Sequence, residues 1–155
     1  MRQSRRWTDR CGNGDEGSAS LEFITAGLVL LLPLVYLVLT MSAIQAGAFA
    51  VEGASRQAAR VYVQASTIAE ANAAASRAVE FALADYGLDT EGVSVTVTCR
   101  PNPANCLQRR GFVTIEVSTS VTLPLVPPVL DLDVGLAVPV ESSATQQVSR
   151  FAGAG

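Results

Sequence analysis

Residues 23–44 read FITAGLVLLLPLVYLVLTMSAI, and this stretch decides how the rest of the chain can fold. It contains no Asp, Glu, Lys or Arg. As a helix, its 22 residues would extend about 33 Å, which is enough to cross the hydrocarbon core of a bilayer. Apolar residues cover every face of that helix, whereas a helix packed on a soluble core would keep a polar face. The sequence therefore predicts a transmembrane helix within residues 18–50, with a kink at Pro33.

Basic residues before the apolar stretch predict its orientation. All eleven basic residues of the chain are Arg, and four of them lie in the first ten positions. Positive charge beside a membrane span is retained on the cytoplasmic side. We therefore expect a single-pass protein in the lipid bilayer, with residues 1–17 as a cytoplasmic leader and the C-terminal region outside.

Residues 51–87 continue the helical signal beyond the membrane. The segment is rich in Ala and has no Pro, and it carries a narrow stripe of mostly small apolar residues three and four positions apart. The stripe comprises Val51, Ala54, Ala58, Val61, Ala65, Ile68, Asn72, Ala75, Val79, Ala82 and Tyr86. It predicts one amphipathic helix that ends at Gly87 and packs either on the protein's own sheet or on another helix.

After Gly87 the hydrophobic period changes to two. Residues 93–99 and 113–123 alternate between apolar and mostly hydroxyl side chains, which is typical of half-buried strands. Residues 136–144 alternate again, and Pro139 there indicates an edge strand.

These segments together predict an α+β fold. Three or four antiparallel strands within residues 88–149 would bury one face on the extramembrane helix. Residues 123–133, LPLVPPVLDLD, hold too many prolines for a central strand. We expect residues 150–155 to form a disordered tail.

The cysteines divide between the two sides of the predicted membrane span. Cys11 precedes it, where a reducing cytoplasm would keep a thiol, whereas Cys99 and Cys106 follow it. In an exported region these two can form a disulfide that closes the loop between the first two strands. We expect that disulfide; the alternative is a pair of free cysteines near a strand.

The chain offers few groups for catalysis. It has no His and no CxxC, HExxH or glycine-rich phosphate motif. Asp131 and Asp133 lie two residues apart, but a calcium loop needs more oxygen ligands at fixed spacing. Arg109 and Arg110 are interpreted as solvated loop charges and not as a surface for nucleic acid. We expect no enzyme activity, no cofactor, no metal site and no nucleic-acid partner.

An ordinary secretory signal would also combine basic residues with an apolar stretch. The small residues of AGAFA at 46–50 would then allow cleavage after Ala48 or Ala50. Against this alternative, the apolar stretch is long for such a signal, and Glu22 is an awkward residue at its start. A plain membrane anchor, which would keep Met1, is a further alternative.

Residues 17–23 read GSASLEF, which resembles the processing site of type IV pilin-like proteins. In that family a prepilin peptidase cuts after a glycine on the cytoplasmic side, and the fifth residue of the mature chain is a glutamate. The resemblance implies that Gly17 precedes the cut and that Ser18 begins the mature chain. Glu22 then falls at the fifth position, and Phe23 completes the glutamate-plus-aromatic motif.

A wider resemblance covers about residues 17–144 and is to the TadE/TadG-like pseudopilins, or minor pilins, of tight-adherence pilus systems. The shared order is EF, a Leu-rich segment with an internal Pro, QAGAFAVEGASRQAARVYV, and Val/Thr strands ending in TLPLVPP. The short loop between Cys99 and Cys106 departs from this pattern. The resemblance implies a type IV pilin-like fold and three kinds of partner: a prepilin peptidase, other pilin subunits and membrane assembly machinery. It also implies an extracellular filament after assembly.

The resemblance gives Glu22 a role. A carboxylate at a membrane boundary is unfavourable without a partner. Cleavage would create an α-ammonium at Ser18 of each copy, which Glu22 of another copy could neutralise as the helices bundle. Two hypotheses follow: a structural subunit or assembly factor of a surface pilus, and a membrane-anchored or secreted binding domain.

Overall fold

The computed structural model describes residues 16–124 and 137–152 and has an α+β fold. Its elements in chain order are α1 Glu16–Tyr62, α2 Ile68–Ala84, β1 Ser94–Arg100, β2 Phe112–Thr122 and β3 Ala137–Gln147. The chain divides into two compact units after Val38, so α1 contributes residues to both. Asp131 and Asp133 lie outside the described residues.

The first unit contains the most apolar part of α1. Every side chain from residue 21 to 38 is exposed, and Phe23 reaches 79% and Leu30 72%. In the described part of the chain, α1 is the one helix long and apolar enough to cross a membrane, within Ala19–Tyr62. It is therefore compatible with the single-pass anchor that the sequence predicts. Pro33 lies inside α1 without ending it, and the kink stays a prediction.

The second unit contains a three-stranded antiparallel sheet in the order β1-β2-β3. The three predicted strands are all present, and Pro139 lies on the edge strand β3 as expected. Arg100 is opposite Phe112, and Phe112 is opposite Gln147. The end of β1, the start of β2 and the end of β3 therefore lie at the same end of the sheet.

The inner face of the sheet follows the predicted alternation. The buried residues of β2 are Val113, Ile115, Val117, Thr119 and Val121. The edge strands are less covered, and Val95 of β1 is still 38% exposed. The opposite, outer face is rich in hydroxyl groups, and there Thr114 Oγ1 and Thr145 Oγ1 share a hydrogen bond of 2.8 Å between β2 and β3.

Both helices contribute small side chains to the core. Of the ten buried apolar residues on α1 and α2, six are alanines: Ala50, Ala54, Ala58, Ala59, Ala71 and Ala75. At Gly47, α1 approaches the sheet so closely that a Cβ atom would overlap Cγ2 of Val121. Further along α1, Ser55 is fully buried, with its Oγ 3.4 Å from Oγ of Ser142 on β3. Small residues on this face let α1 lie directly against the strands.

The prediction of one continuous helix over residues 51–87 is wrong. α1 ends at Tyr62, and α2 begins at Ile68 after five intervening residues. Thr67 is extended (φ −132°, ψ 155°), and its Oγ1 accepts a 3.2 Å hydrogen bond from Glu70 N. The Glu70 carboxylate in turn accepts a 3.1 Å bond from Ser66 N. Side chains that bind backbone N–H groups in this way start a new helix instead of continuing the old one.

The break also changes which face of the second helix is buried. Ile68 and Asn72 belong to the predicted stripe but are exposed. Ala71 and Leu83, which lie outside that stripe, are fully buried, while Ala75 is buried as predicted. The three- and four-residue spacing holds within each helix but not across the five residues that separate them.

Gly87 ends the second helix as expected. Its φ of 67° lies in the left-handed region. Gly87 N donates to Ala84 O at 2.9 Å, and Leu88 N donates to Leu83 O at 3.1 Å. These two bonds form a Schellman motif, which satisfies carbonyl groups at the helix end.

The disordered tail expected over residues 150–155 stays a prediction, and the structure describes its first three residues. Residues 150–152 form a turn, and Ala152 O accepts a 2.8 Å hydrogen bond from Arg109 Nε. This bond ties the end of the described chain to the loop before β2. Residues 153–155 lie outside the described residues.

Candidate functional site

The predicted processing motif lies at the start of α1. The helix begins at Glu16, so Gly17, Ser18, Glu22 and Phe23 occupy its first two turns. Glu22 lies one turn beyond Ser18, about 6 Å along the helix axis. Within the described residues the Glu22 carboxylate has no hydrogen bond or ion pair. Its pairing with Ser18 of another copy stays a prediction.

The surroundings of Glu22 on α1 are apolar and exposed. Leu21 is 68% exposed and Ile24 is 56% exposed, and both flank the Glu22–Phe23 pair. This part of the helix therefore presents one carboxylate within a surface suited to lipid or to other apolar helices.

The loop between β1 and β2 is closed by the predicted disulfide. Cys99, at the buried end of β1, is bonded to Cys106, and their Cα atoms are 5.1 Å apart. Gly111 N then donates to Gln108 O at 2.9 Å, and Val148 N donates to Gly111 O at 2.8 Å. The loop between β1 and β2 is thus fixed by the disulfide to β1 and by Gly111 to Val148, the residue that follows β3.

Most of the described titratable side chains outside the start of α1 and the β1–β2 loop are exposed. Tyr62, among the described groups, is buried, and this burial raises the pKa of its phenol. No group of three or more His, Cys, Asp or Glu side chains comes close enough to hold a metal ion in the described ranges.

Four arginines gather at one end of the sheet, which we call the basic end: Arg100, Arg109, Arg110 and Arg150. All four are exposed. Arg109 donates to Ala152 O, as described above, and the Arg150 guanidinium lies 4.6 Å from the Phe151 ring centroid. A cleft of about 1150 Å³ opens beside them, between residues 63–66, residues 105–109 of the loop before β2, and residues 149–152.

Sequence reasoning missed the basic end because its arginines come from three separate segments. It treated Arg109 and Arg110 as isolated loop charges and gave Arg100 and Arg150 no role. Each of the four lies within three residues of a strand terminus. When three antiparallel strands follow one another in chain order, the end of the first, the start of the second and the end of the third lie at one end of the sheet. That strand order was therefore the signal that could have placed the four arginines together.

Comparison of this chain with family models, with curated proteins and with solved structures finds no match.

Proposed function

We propose that this protein is a minor pilin or pseudopilin, a structural subunit or assembly factor of a tight-adherence type surface pilus. A prepilin peptidase cuts it after Gly17 on the cytoplasmic side. Ser18 then begins the mature chain, α1 anchors it in the membrane, and the second unit lies outside. Other pilin subunits and the assembly machinery are its partners.

The observation that carries the proposal is the position of Glu22. Within the described residues its carboxylate has no ion pair, and it lies on an exposed apolar helix, five positions after Gly17 and directly before Phe23. A lone carboxylate near lipid is unfavourable, and removing one partner from a low-dielectric ion pair is strongly destabilising. The α-ammonium created by cleavage at Ser18 supplies that partner between copies. The pair therefore favours one axial register of neighbouring helices.

The second unit also favours retention of the apolar segment over an ordinary signal sequence. A start after Ala48 would remove Gly47, whose backbone packs on Val121. A start after Ala50 would also remove a fully buried core residue. Either cut would leave the sheet without part of the helix that covers it. A plain anchor with Met1 retained keeps these contacts, and Glu22 would then lie in the cytosolic headgroup layer.

The mature N-terminus separates the three possibilities. Because the 155 residues contain no Lys, an amine-directed label modifies only the α-amino group of whichever residue begins the chain. The chain is co-expressed with a prepilin peptidase, labelled by reductive methylation and analysed by peptide mass spectrometry. We expect the label on Ser18. A label on Phe49 or Val51 would instead indicate a secretory signal, and a label on Met1 would indicate a plain anchor.

Substitution of Gly17 tests the cleavage site itself. We expect Gly17→Leu to leave a full-length membrane precursor, because a side chain there blocks access to the scissile bond. Gly27→Leu is the matched control, since Gly27 is also on α1 and nothing lies within 4 Å of a Cβ placed there. It should be cut like the unsubstituted chain. Normal processing of Gly17→Leu would remove the basis of the proposal.

A further inference from the structure

The basic end combines four arginines with a local lack of acidic residues. The segments that carry the arginines, residues 92–115 and 142–152, contain no Asp or Glu. The first acid along β2 is Glu116, about 13 Å from the start of that strand. Within the described residues, no ion pair is formed by Arg100, Arg110 or Arg150. Three guanidinium groups at this end are therefore available to an anionic ligand.

Asp131 and Asp133 belong to the connection that joins β2 to β3 at the other end of the sheet. That connection runs between Thr122 and Ala137, which are opposite each other. Phe112, at the basic end, lies ten residues from Thr122 along β2, which is about 33 Å. Exposed charges interact little beyond the Debye length of about 8 Å. Both ends of this connection thus lie well outside the range of the basic end.

The cleft beside the arginines is lined mainly by side chains that form hydrogen bonds. In the described chain, its exposed lining residues other than Phe151 are all polar: Gln64, Ser66, Asn105, Gln108, Arg109 and Ser149. The side-chain amides of Gln64, Asn105 and Gln108 form no hydrogen bond within the described ranges, and each can both donate and accept. Glu70 brings one carboxylate next to the cleft, where it accepts the bond from Ser66 N. The cleft is therefore suited to the uncharged polar groups of a ligand.

Phe151 adds an aromatic ring to this cleft. The residue is 67% exposed, although the Arg150 guanidinium lies over its ring. The face of an aromatic ring is electronegative and attracts polarised C–H groups, such as those on the flat side of a sugar ring. A sugar unit that contacts Phe151 would have the charge of Arg150 within reach of its own carboxylate.

A lipid surface fits the basic end poorly. The apolar stretch ends at Ile44, and α1 continues for eighteen residues to Tyr62, a rise of about 27 Å. Val63, the next residue, already lines the cleft. This rise is several Debye lengths, so the headgroups of a bilayer that holds the apolar stretch are screened from the basic end.

We propose that the basic end and its cleft bind an acidic polysaccharide, a polymer whose sugar rings carry carboxylates. Arginines bind the carboxylates through paired N–H groups, the cleft amides bind ring hydroxyls, and Phe151 stacks on a sugar face. A protein partner would favour a centre of apolar and aromatic side chains, whereas the exposed lining here is polar apart from one ring. The inference goes beyond the proposed function and takes from it only the location of the second unit outside the cell.

Fluorescence anisotropy with a labelled oligogalacturonate tests the binding. The full chain is purified in neutral detergent micelles, and every sample has Gln in place of the leader residues Arg2, Arg5, Arg6 and Arg10, so that the leader does not attract the probe. We expect saturable binding. A methyl-esterified oligogalacturonate lacks the charge, and polyglutamate of equal charge lacks the sugar rings. Both should bind about tenfold more weakly.

Substitution of the arginines tests the charged part of the site. Arg110→Gln with Arg150→Gln should lower the affinity for oligogalacturonate about tenfold, because charge-assisted hydrogen bonds are lost. Gln keeps most of each side chain, and both positions are exposed, so the fold should be retained. Arg56→Gln with Arg77→Gln removes the same charge from the helices and is the control, which should bind like the unsubstituted chain.

Substitution of the cleft amides tests the sugar part of the site. Gln64→Ala with Gln108→Ala leaves the net charge unchanged and should lower the affinity for oligogalacturonate about threefold to tenfold. The weaker binding of polyglutamate should not change, because that polymer has no hydroxyl groups for these amides. Near-ultraviolet circular dichroism, to which buried Tyr62 contributes, verifies that the variants fold.

Three results would overturn the proposal. Polyglutamate would bind as tightly as oligogalacturonate, or the amide pair would have no effect, and in either case charge alone would explain the binding. Equal losses in the Arg110/Arg150 pair and in the Arg56/Arg77 control would place the binding elsewhere on the chain. The mature N-terminus is a separate measurement, so a start other than Ser18 counts against the proposed function and not against this binding.

Discussion

Gly47 allows α1 to approach the sheet at a point where no side chain would fit. We expect Gly47→Ala to lower the free energy of unfolding by about 1–3 kcal/mol, the usual effect of overpacking a core. The new methyl group would overlap Cγ2 of Val121, and the strand or the helix would have to shift. The loss of near-ultraviolet circular dichroism in denaturant, to which buried Tyr62 contributes, measures the change.

Gly53 provides the control for this substitution. It is on the same helix, it is exposed, and nothing lies within 4 Å of a Cβ placed there. Gly53→Ala should therefore stabilise the protein by about 0.5–1 kcal/mol, because Ala loses less backbone entropy than Gly in a helix. Equal changes in the free energy of unfolding for Gly47→Ala and Gly53→Ala would contradict the close approach of α1 to the sheet at Gly47.

At the scale of elements, the start of α2 depends on Thr67. Replacing Thr67 by Ala removes the acceptor for Glu70 N and should cost about 1 kcal/mol. Hydrogen exchange of the Glu70 amide should become faster, since its bond to Oγ1 is lost. Ser76→Ala, at an exposed interior position of the same helix, should be neutral or slightly stabilising. Equal exchange rates for Glu70 in both variants would argue against the cap.

The sequence correctly predicts those structural features that depend on a single short stretch of the chain. The alternation of β2, the left-handed stop at Gly87 and the small loop between Cys99 and Cys106 each rest on a few neighbouring residues. Sequence reasoning failed at 63–67, because the Ala-rich composition favoured one helix and the competing side-chain bonds of Thr67 and Glu70 were overlooked. The basic end needed the strand order, which no local pattern contains. The processing motif at Gly17 depends on a peptidase and stays a prediction.

At the scale of the whole molecule, Glu22 is expected to act in assembly and not in insertion or cutting. Its carboxylate lies beyond the scissile bond, and the apolar stretch is long enough to insert without it. Glu22→Ala should therefore be processed and remain in the membrane, yet fail to enter or support the filament. Glu22→Gln should behave in the same way, because the α-ammonium of Ser18 is left unneutralised.

The measurement for Glu22 is the amount of processed subunit in membrane and sheared surface fractions. Glu52→Gln, also on α1, removes an exposed ion pair with Arg56 and serves as the control. Such pairs contribute little, so this variant should assemble normally. Normal piliation with Glu22→Ala would leave Glu22 as a residue of the lipid headgroup layer.

The alanine-lined contact between helix and sheet limits how this sequence can change over evolutionary time. Ala54, Ala58 and Ala75 are buried, so a larger side chain would overpack the core and substitution is confined to Gly or Ser. The hydroxyl-rich outer face has no such restriction, since its side chains meet few packed atoms. Descendants of this chain should therefore differ rapidly on the outer face and at the loop tips while the spacing of small residues along α1 and α2 persists.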